Sequence, residues 1–118
     1  MPAPVVIVDS NRDGLEMYVT ALALEGIQAE AATSAREALD VIAKTQPRAI
    51  VTELRLPGTR GAELVKSVRT AQPHAYIVGL STSGPREVRE AHDAGCDLVL
   101  PLPCLPETLL KHLQHALL

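Results

Sequence analysis

The sequence contains no phenylalanine and no tryptophan, and its only aromatic residues are Tyr18 and Tyr76. A hydrophobic share of 47% still supplies a packed core and argues against disorder. That core must be aliphatic, filled by Ala, Leu and Val. The same absence removes the stacking platforms that single-stranded nucleic acid requires. Positive charge is also scarce. Eleven Lys and Arg against fourteen Asp and Glu leave a net charge of -3, and no basic face for phosphate contacts is visible. A nucleic-acid partner is not expected.

Long apolar runs are missing as well. Val5-Val6-Ile7-Val8 is broken at once by Asp9 and then Asp13, and no run approaches the ~20 residues of a spanning helix. A signal peptide wants a basic start and a longer apolar stretch, so a cytoplasmic location without a membrane partner is expected. The two cysteines, Cys96 and Cys104, read as free, mostly buried thiols in a reducing compartment. A metal centre needs more clustered ligands than these two thiols offer. Neither GxGxxG nor GxxxxGK[ST] follows any apolar run, which leaves a nucleotide-using α/β binder or enzyme without support. The 118 residues suit one domain, 1–118, and are too few for two.

What is present is alternation. Val5–Val8 has no polar gap, as befits a strand buried on both faces. Leu15, Val19 and Leu22 then recur at helical spacing, with Gly26 suited to the stop. Residues 27–32 form a weaker second strand. Ser34-Ala35-Arg36-Glu37 is a capping box that opens a helix over Ala38, Leu39 and Ile42, ended by Pro47. Ala49-Ile50-Val51 leads into Thr52-Glu53, and Pro57-Gly58 marks a turn. Leu64, Val65 and Val68 mark a third helix. Residues 76–80 are a fourth strand, followed by the loop Ser81–Pro85 and a helix running to Gly95. Leu98–Leu100 is a fifth strand, stopped by Pro101 and Pro103. A last helix runs from about Pro106, with Leu109, Leu110, Leu113 and Leu117 facing in.

Five such units predict an α/β fold: a five-stranded parallel sheet flanked by five helices. In open sheets of this kind, ligands sit beyond the carboxyl ends of the strands. Those ends carry Asp9-Ser10, Glu53, Ser81 and Leu102. Two carboxylates and a hydroxyl there can meet a divalent cation or a phosphoryl group. Spacing alone favours the plainer assignment, with Asp9 capping the first helix and Glu53 solvated.

The local sequences point further. Val6-Ile7-Val8-Asp9-Ser10, Val51-Thr52-Glu53-Leu54-Arg55-Leu56-Pro57-Gly58, Val78-Gly79-Leu80-Ser81 and Gly95-Cys96-Asp97 through Leu100-Pro101-Leu102-Pro103 follow one another in order and at suitable spacing. Over its whole length the chain resembles the receiver domains of bacterial response regulators, the CheY-like family of two-component and phosphorelay signalling. The resemblance implies a flavodoxin-like, doubly wound sheet and a regulatory rather than enzymatic role. It also implies a chemistry. An acid pair and an acceptor Asp hold Mg²⁺, and the acceptor takes phosphate from a phosphohistidine. A Lys steadies the acyl phosphate, and a Ser or Thr swings to bond it. An aromatic on the fifth strand then turns inward, and the face of helix 4, strand 5 and helix 5 changes.

Four positions depart from that pattern. Glu53 stands in the acceptor position, Ser10 replaces the second acid, Leu102 replaces the Lys, and Val99 replaces the aromatic switch. Asp9 and the switch hydroxyl of Ser81 remain. Glu53 projects its carboxylate one methylene further than Asp, and such geometric errors can cost ~10²-fold. Asp9 and Glu53 are then vestigial metal ligands, with no cofactor expected and Mg²⁺ relevant only to a pocket that still functions. The implied protein is a degenerate pseudo-receiver, with no catalytic residues, acting by protein–protein interaction without phosphorylation. Its expected partner is another protein or a second copy, bound through the helix 4–strand 5–helix 5 face, where charge reversal at Arg86 or Arg89 should weaken binding. A histidine kinase or an output domain outside this chain is the other partner implied. The alternative is a receiver that still accepts phosphate from a histidine kinase. Elsewhere, His112 and His115 share a helix face and read as solvated, while His74 and His92 receive no role. Cys104 reads as an apolar filler or, alternatively, an exposed regulatory thiol. Leu102-Pro103 is a candidate cis bond.

Overall fold

The computed structural model describes residues 3–117. Val5–Val8 (β1), Ala29–Ala32 (β2), Ala49–Glu53 (β3), Tyr76–Ser81 (β6) and Leu98–Pro101 (β7) form a parallel sheet in the order β2-β1-β3-β6-β7. The expected five strands are all there. The numbering jumps because two short strands, Arg55–Leu56 (β4) and Thr59–Arg60 (β5), pair as a separate antiparallel hairpin. Sequence reading placed a turn at Pro57-Gly58 but not these strands. Gly58 has φ 73°, and Pro-Gly with a positive φ at the second residue is what a type II turn requires.

Five helices cover the sheet: Arg12–Leu24 (α1), Ala35–Thr45 (α2), Gly61–Ala71 (α3), Pro85–Ala94 (α4) and Pro106–Ala116 (α5). Alternate residues of each strand point to opposite faces. Val6, Val8, Ile50 and Ile77 therefore meet Ala38 and Ile42 of α2, Leu64, Val65 and Val68 of α3, and Ala91 of α4. Val5, Ile7, Val51, Val78 and Leu80 meet Leu15, Tyr18 and Leu22 of α1 and Leu109 and Leu113 of α5. The core is aliphatic, as the composition requires. Its one fully enclosed aromatic, Tyr18, donates its hydroxyl to the Cys104 carbonyl at 2.6 Å, tying α1 to the segment before α5.

The helix ends follow local chemistry. Ser34 Oγ accepts from the Glu37 amide at 3.1 Å, and Glu37 reaches back to the Thr33 amide, one residue beyond the expected box partner. The α2 helix closes on Gln46 with φ 48°. The second strand is shorter than its sequence span and half-exposed, in keeping with its small residues and edge position. At the opposite end of the sheet from the expected site, Arg69 of α3 donates to the carbonyls of Pro73, Ala75 and Gly95 at 3.0, 2.7 and 2.8 Å. It also pairs with Asp97 at 2.8 Å, whose carboxylate accepts from the Ile77 amide. Gly95, at φ 127°, ends α4 in a conformation that side-chain-bearing residues rarely adopt. Both cysteines are free and buried. Burial, with the Asp97 charge beside it, pushes the Cys96 thiol up to about 12, and burial raises that of Cys104. The Leu102-Pro103 bond is cis.

The hairpin is held against β3 by one close approach. A Cβ on Gly61 would lie 2.4 Å from the Leu54 carbonyl oxygen, while the Gly61 amide donates to that oxygen at 3.1 Å. Gly61→Ala is expected to destabilise the fold by about 1–3 kcal/mol. Gly84→Ala, which meets open space, should change it by less than about 0.5 kcal/mol. Urea midpoints of the two variants, compared with the parent, check this.

Candidate functional site

Strand order places the site. The central strand β3 has β1 on one side and β6 on the other, with Val8 opposite Thr52 and Glu53 opposite Leu80. Residues just beyond β1 and at the end of β3 therefore meet at one rim. Asp9-Ser10, Glu53 and Ser81 are all brought there. Pro101 lies opposite Ser81, which carries Leu102 to the same end.

The β1–α1 loop is organised by backbone hydrogen bonds to short side chains. Asn11, not Asp9, caps α1, its Oδ1 accepting from the amides of Asp13 and Gly14 at 2.9 and 3.3 Å. Asp9 acts one step earlier, its Oδ1 accepting from the Asn11 amide at 2.8 Å. The expectation that Asp9 is the cap is thus corrected: an Asx turn at Asp9 sets up a cap at Asn11. The other oxygen of Asp9 rests over Gly14, where an added Cβ would stand 3.0 Å from it. Glu53 is not simply solvated either. Its Oε1 accepts from both the amide and the hydroxyl of Ser10, at 2.9 and 2.5 Å. The longer carboxylate thus crosses to the β1–α1 loop and is satisfied there.

Asp9 holds its proton to higher pH than an ordinary aspartate. Burial is the main cause, and the neighbouring Glu53 charge and a shared hydrogen bond add to it, while the Asn11 amide works in the other direction. For Mg²⁺ the fit is poor. The ion demands near-octahedral oxygen donors. Glu53 Oε1 and Asp9 Oδ1 are already engaged with protein donors, and Ser10 brings no charge. Among the described residues, no three His, Cys, Asp or Glu side chains come together as a ligand set.

The remaining positions divide between the two faces of the sheet. Leu102, half-buried, packs against the cluster shared with α1 and α5. Val99, also half-buried, packs against the cluster shared with α4. Ser81 is buried, and its hydroxyl donates to Glu87 Oε1 of α4 at 2.5 Å and accepts from the Ser83 amide at 3.2 Å. Glu87 Oε2 in turn lies 3.3 Å from Arg55 Nε, and Arg55 donates through its other nitrogen to Ser83 Oγ. Sequence reading singled out neither Glu87 nor Arg55 for a role. A signal was available, because Glu87 is the third residue of a helix entered through Gly84-Pro85, where no Ser or Thr cap exists to reciprocate its carboxylate. The histidines stay apart from the site. His74, His92 and His115 are exposed, His112 is half-buried, and His92 Nδ1 lies 3.2 Å from the Cys96 carbonyl.

A carboxyl whose pKa is raised by folding takes up protons as the chain folds. Its contribution is present below the ordinary value of 3.8 and is lost as pH rises through the folded value. Asp9→Asn keeps the acceptor for Asn11 and removes the charge facing Glu53. The melting temperature should therefore rise at pH 7, and the difference from the parent should close by about pH 3, below the carboxylate range. Thermal melts across that interval check the sign.

Comparison with known proteins agrees with this fold. The response regulator receiver domain model matches residues 5–114. The response regulator MprA of Mycolicibacterium vanbaalenii is 33% identical over 118 residues, covering 99% of this chain and 51% of MprA, so the chain spans about half the length of such curated relatives. The chemotaxis protein CheY4 of Vibrio cholerae superposes with a TM-score of 0.91 at 32% identity, covering 98% of this chain and 99% of that one. A CheY-like receiver domain protein from Methanospirillum hungatei gives 0.93 at 23% identity, over 99% and 94% of the two chains, a likeness of fold alone. A parallel sheet ordered β2-β1-β3-β6-β7 with acids at its carboxyl rim, matched along nearly its whole length, places the chain in the response regulator receiver domain family of two-component signalling.

Proposed function

We propose that residues 1–118 form one receiver unit that works as a pseudo-receiver: a non-enzymatic, metal-independent interaction module in a two-component pathway. The observation that carries this reading is the double hydrogen bond from Ser10 to Glu53 Oε1. A nucleophilic carboxylate must be free to meet phosphorus in line, and one oxygen of this one is already engaged by an amide and a hydroxyl. Leu102 brings no cation to offset an acyl phosphate, and an apolar side chain beside a dianion adds to its desolvation cost. A cytoplasmic setting suits the two free thiols.

The surface that such a module would use is the face of α4, β7 and α5, toward a protein partner or a second copy. Val99 is stiff at χ1 and offers no ring to move between buried and exposed states. That leaves the face set by packing. On α4, Arg86 and Glu90 form an ion pair at 3.3 Å on the flank toward α3. Arg86 and Arg89 are both exposed on α4, and Arg89 has no ion pair among the described residues, so its charge is the freer of the two to meet a partner.

Incubation with small phosphodonors and Mg²⁺ should leave the mass of the chain unchanged. A one-phosphate shift abolished by Glu53→Ala would overturn the reading in favour of a phosphorylatable receiver. Association through the face, followed by sedimentation for self-association, should weaken by about tenfold, or ~1.4 kcal/mol, for Arg89→Glu. It should stay within about twofold of the parent for Glu53→Gln, a difference of under ~0.5 kcal/mol.

A further inference from the structure

The group that most needs an explanation is Glu87. It stands in the first turn of α4, where a negative charge is favourable, but its carboxylate turns away from the helix it opens. Of the two acceptors in reach of the buried Ser81 hydroxyl, Oε1 at 2.5 Å is nearer and charged, and the Ser83 carbonyl at 3.2 Å is the weaker, while Oε2 faces Arg55 Nε at 3.3 Å. The second guanidinium nitrogen of Arg55 reaches Ser83 Oγ, and the Ser83 amide donates back to Ser81 Oγ at 3.2 Å. The four residues close a ring. It joins the end of β6, the loop after it, the start of α4 and the hairpin strand that directly follows Glu53-Leu54.

A serine hydroxyl has one proton to give. While it goes to Glu87, it cannot go to an oxyanion at Glu53. The Glu87 side chain is about one-fifth exposed and Arg55 about seven-tenths exposed, so the ring is weighted toward its inner half. A charge-assisted bond to a partly buried carboxylate is stronger than one between neutral groups. We infer that this ring is a conformational latch: Glu87, held in place by Arg55, commits the Ser81 hydroxyl to α4 and keeps the β6–α4 loop in one state, cut off from the rim at Glu53. The latch deepens the pseudo-receiver reading and rests on it, since it accounts for a hydroxyl that survives without serving an acceptor. The cleft of about 610 Å³ beside it, between the hairpin and the starts of α3 and α4, carries no separate assignment, because its arginines are paired with Glu87 and Glu90.

The ring can be opened from either side and read without any phosphodonor. Native-state hydrogen exchange of the Ser83 amide reports on it directly, because the acceptor of that amide is Ser81 Oγ. Glu87→Ala is expected to speed exchange at Ser83 by at least about tenfold and to broaden or double the amide resonances of residues 82–85. Arg55→Met, a change at an exposed side chain that leaves the core untouched, should shift the same resonances and speed the same amide by severalfold. Ser81→Ala, which removes the acceptor of the Ser83 amide, should speed that exchange at least as much as Glu87→Ala. If Ser83 exchange stays within about twofold of the parent in both Arg55→Met and folded Glu87→Ala, the latch is wrong. Phosphate uptake by the parent chain on Glu53 would instead overturn the pseudo-receiver reading, whichever way the loop behaves.

Discussion

The structure depends on strands that are covered on both faces. All four residues of β1 have no exposed surface, and Ala49, Ile50 and Val51 of β3 and Ile77 and Val78 of β6 are the same. The central strands of such a sheet carry few polar side chains, because neither face offers water, and buried Thr52 satisfies its hydroxyl on the Glu53 carbonyl. Polar chemistry is confined to where the strands run out. With no Phe or Trp to thicken either layer, close packing rests on aliphatic residues, while the backbone ladders of β1, β3 and β6 hold their rim positions in fixed relation. The location of Asp9, Ser10, Glu53 and Ser81 at one edge is a result of that constraint rather than of any attraction among them.

At that edge, charge is settled within the chain. Glu53 takes two donors from Ser10, Asp9 takes the Asn11 amide, and Glu87 takes Arg55 and Ser81. In each case at least one carboxylate oxygen accepts from an amide, hydroxyl or guanidinium of the protein. A single added methylene at residue 53 gives the reach that lets Ser10 act as its partner. What the chain shares with its family lies in the backbone frame, and the contacts at the rim are decided by its side chains.

The frame was legible because its signals are redundant. Unbroken apolar runs, helical periodicity, the Ser34–Glu37 box and Pro57-Gly58 all speak for the same alternation, and each appears as an element or a turn. Less legible were features decided by one or two atoms. The β4–β5 hairpin spans two residues on each side, too short for any period to register. Glu37 bonds Thr33 instead of Ser34, a difference of one amide. Asn11 takes the cap because Asp9 lies too far back along the chain. Glu53 could be read as a departure from the expected Asp, but its bond to Ser10 depends on side-chain reach across two strands, which spacing does not encode. Glu87 escaped notice for the same reason: its partners lie 6 and 32 residues away in the chain.

Arg69 gives the domain an asymmetry between its two ends. Its guanidinium gathers the carbonyl that ends α4 at Gly95, the turn before β6 and the carboxylate before β7. All of these lie at the base, opposite the rim. The helix α4 is thus pinned at its carboxyl end, seated along its length by buried Ala91 and the Arg60–Glu90 pair, and tied at its amino end through side chains around Ser81. For a rod anchored in this way, any rotation would displace the tip at Pro85 and Arg86 most and the anchored end at Gly95 least.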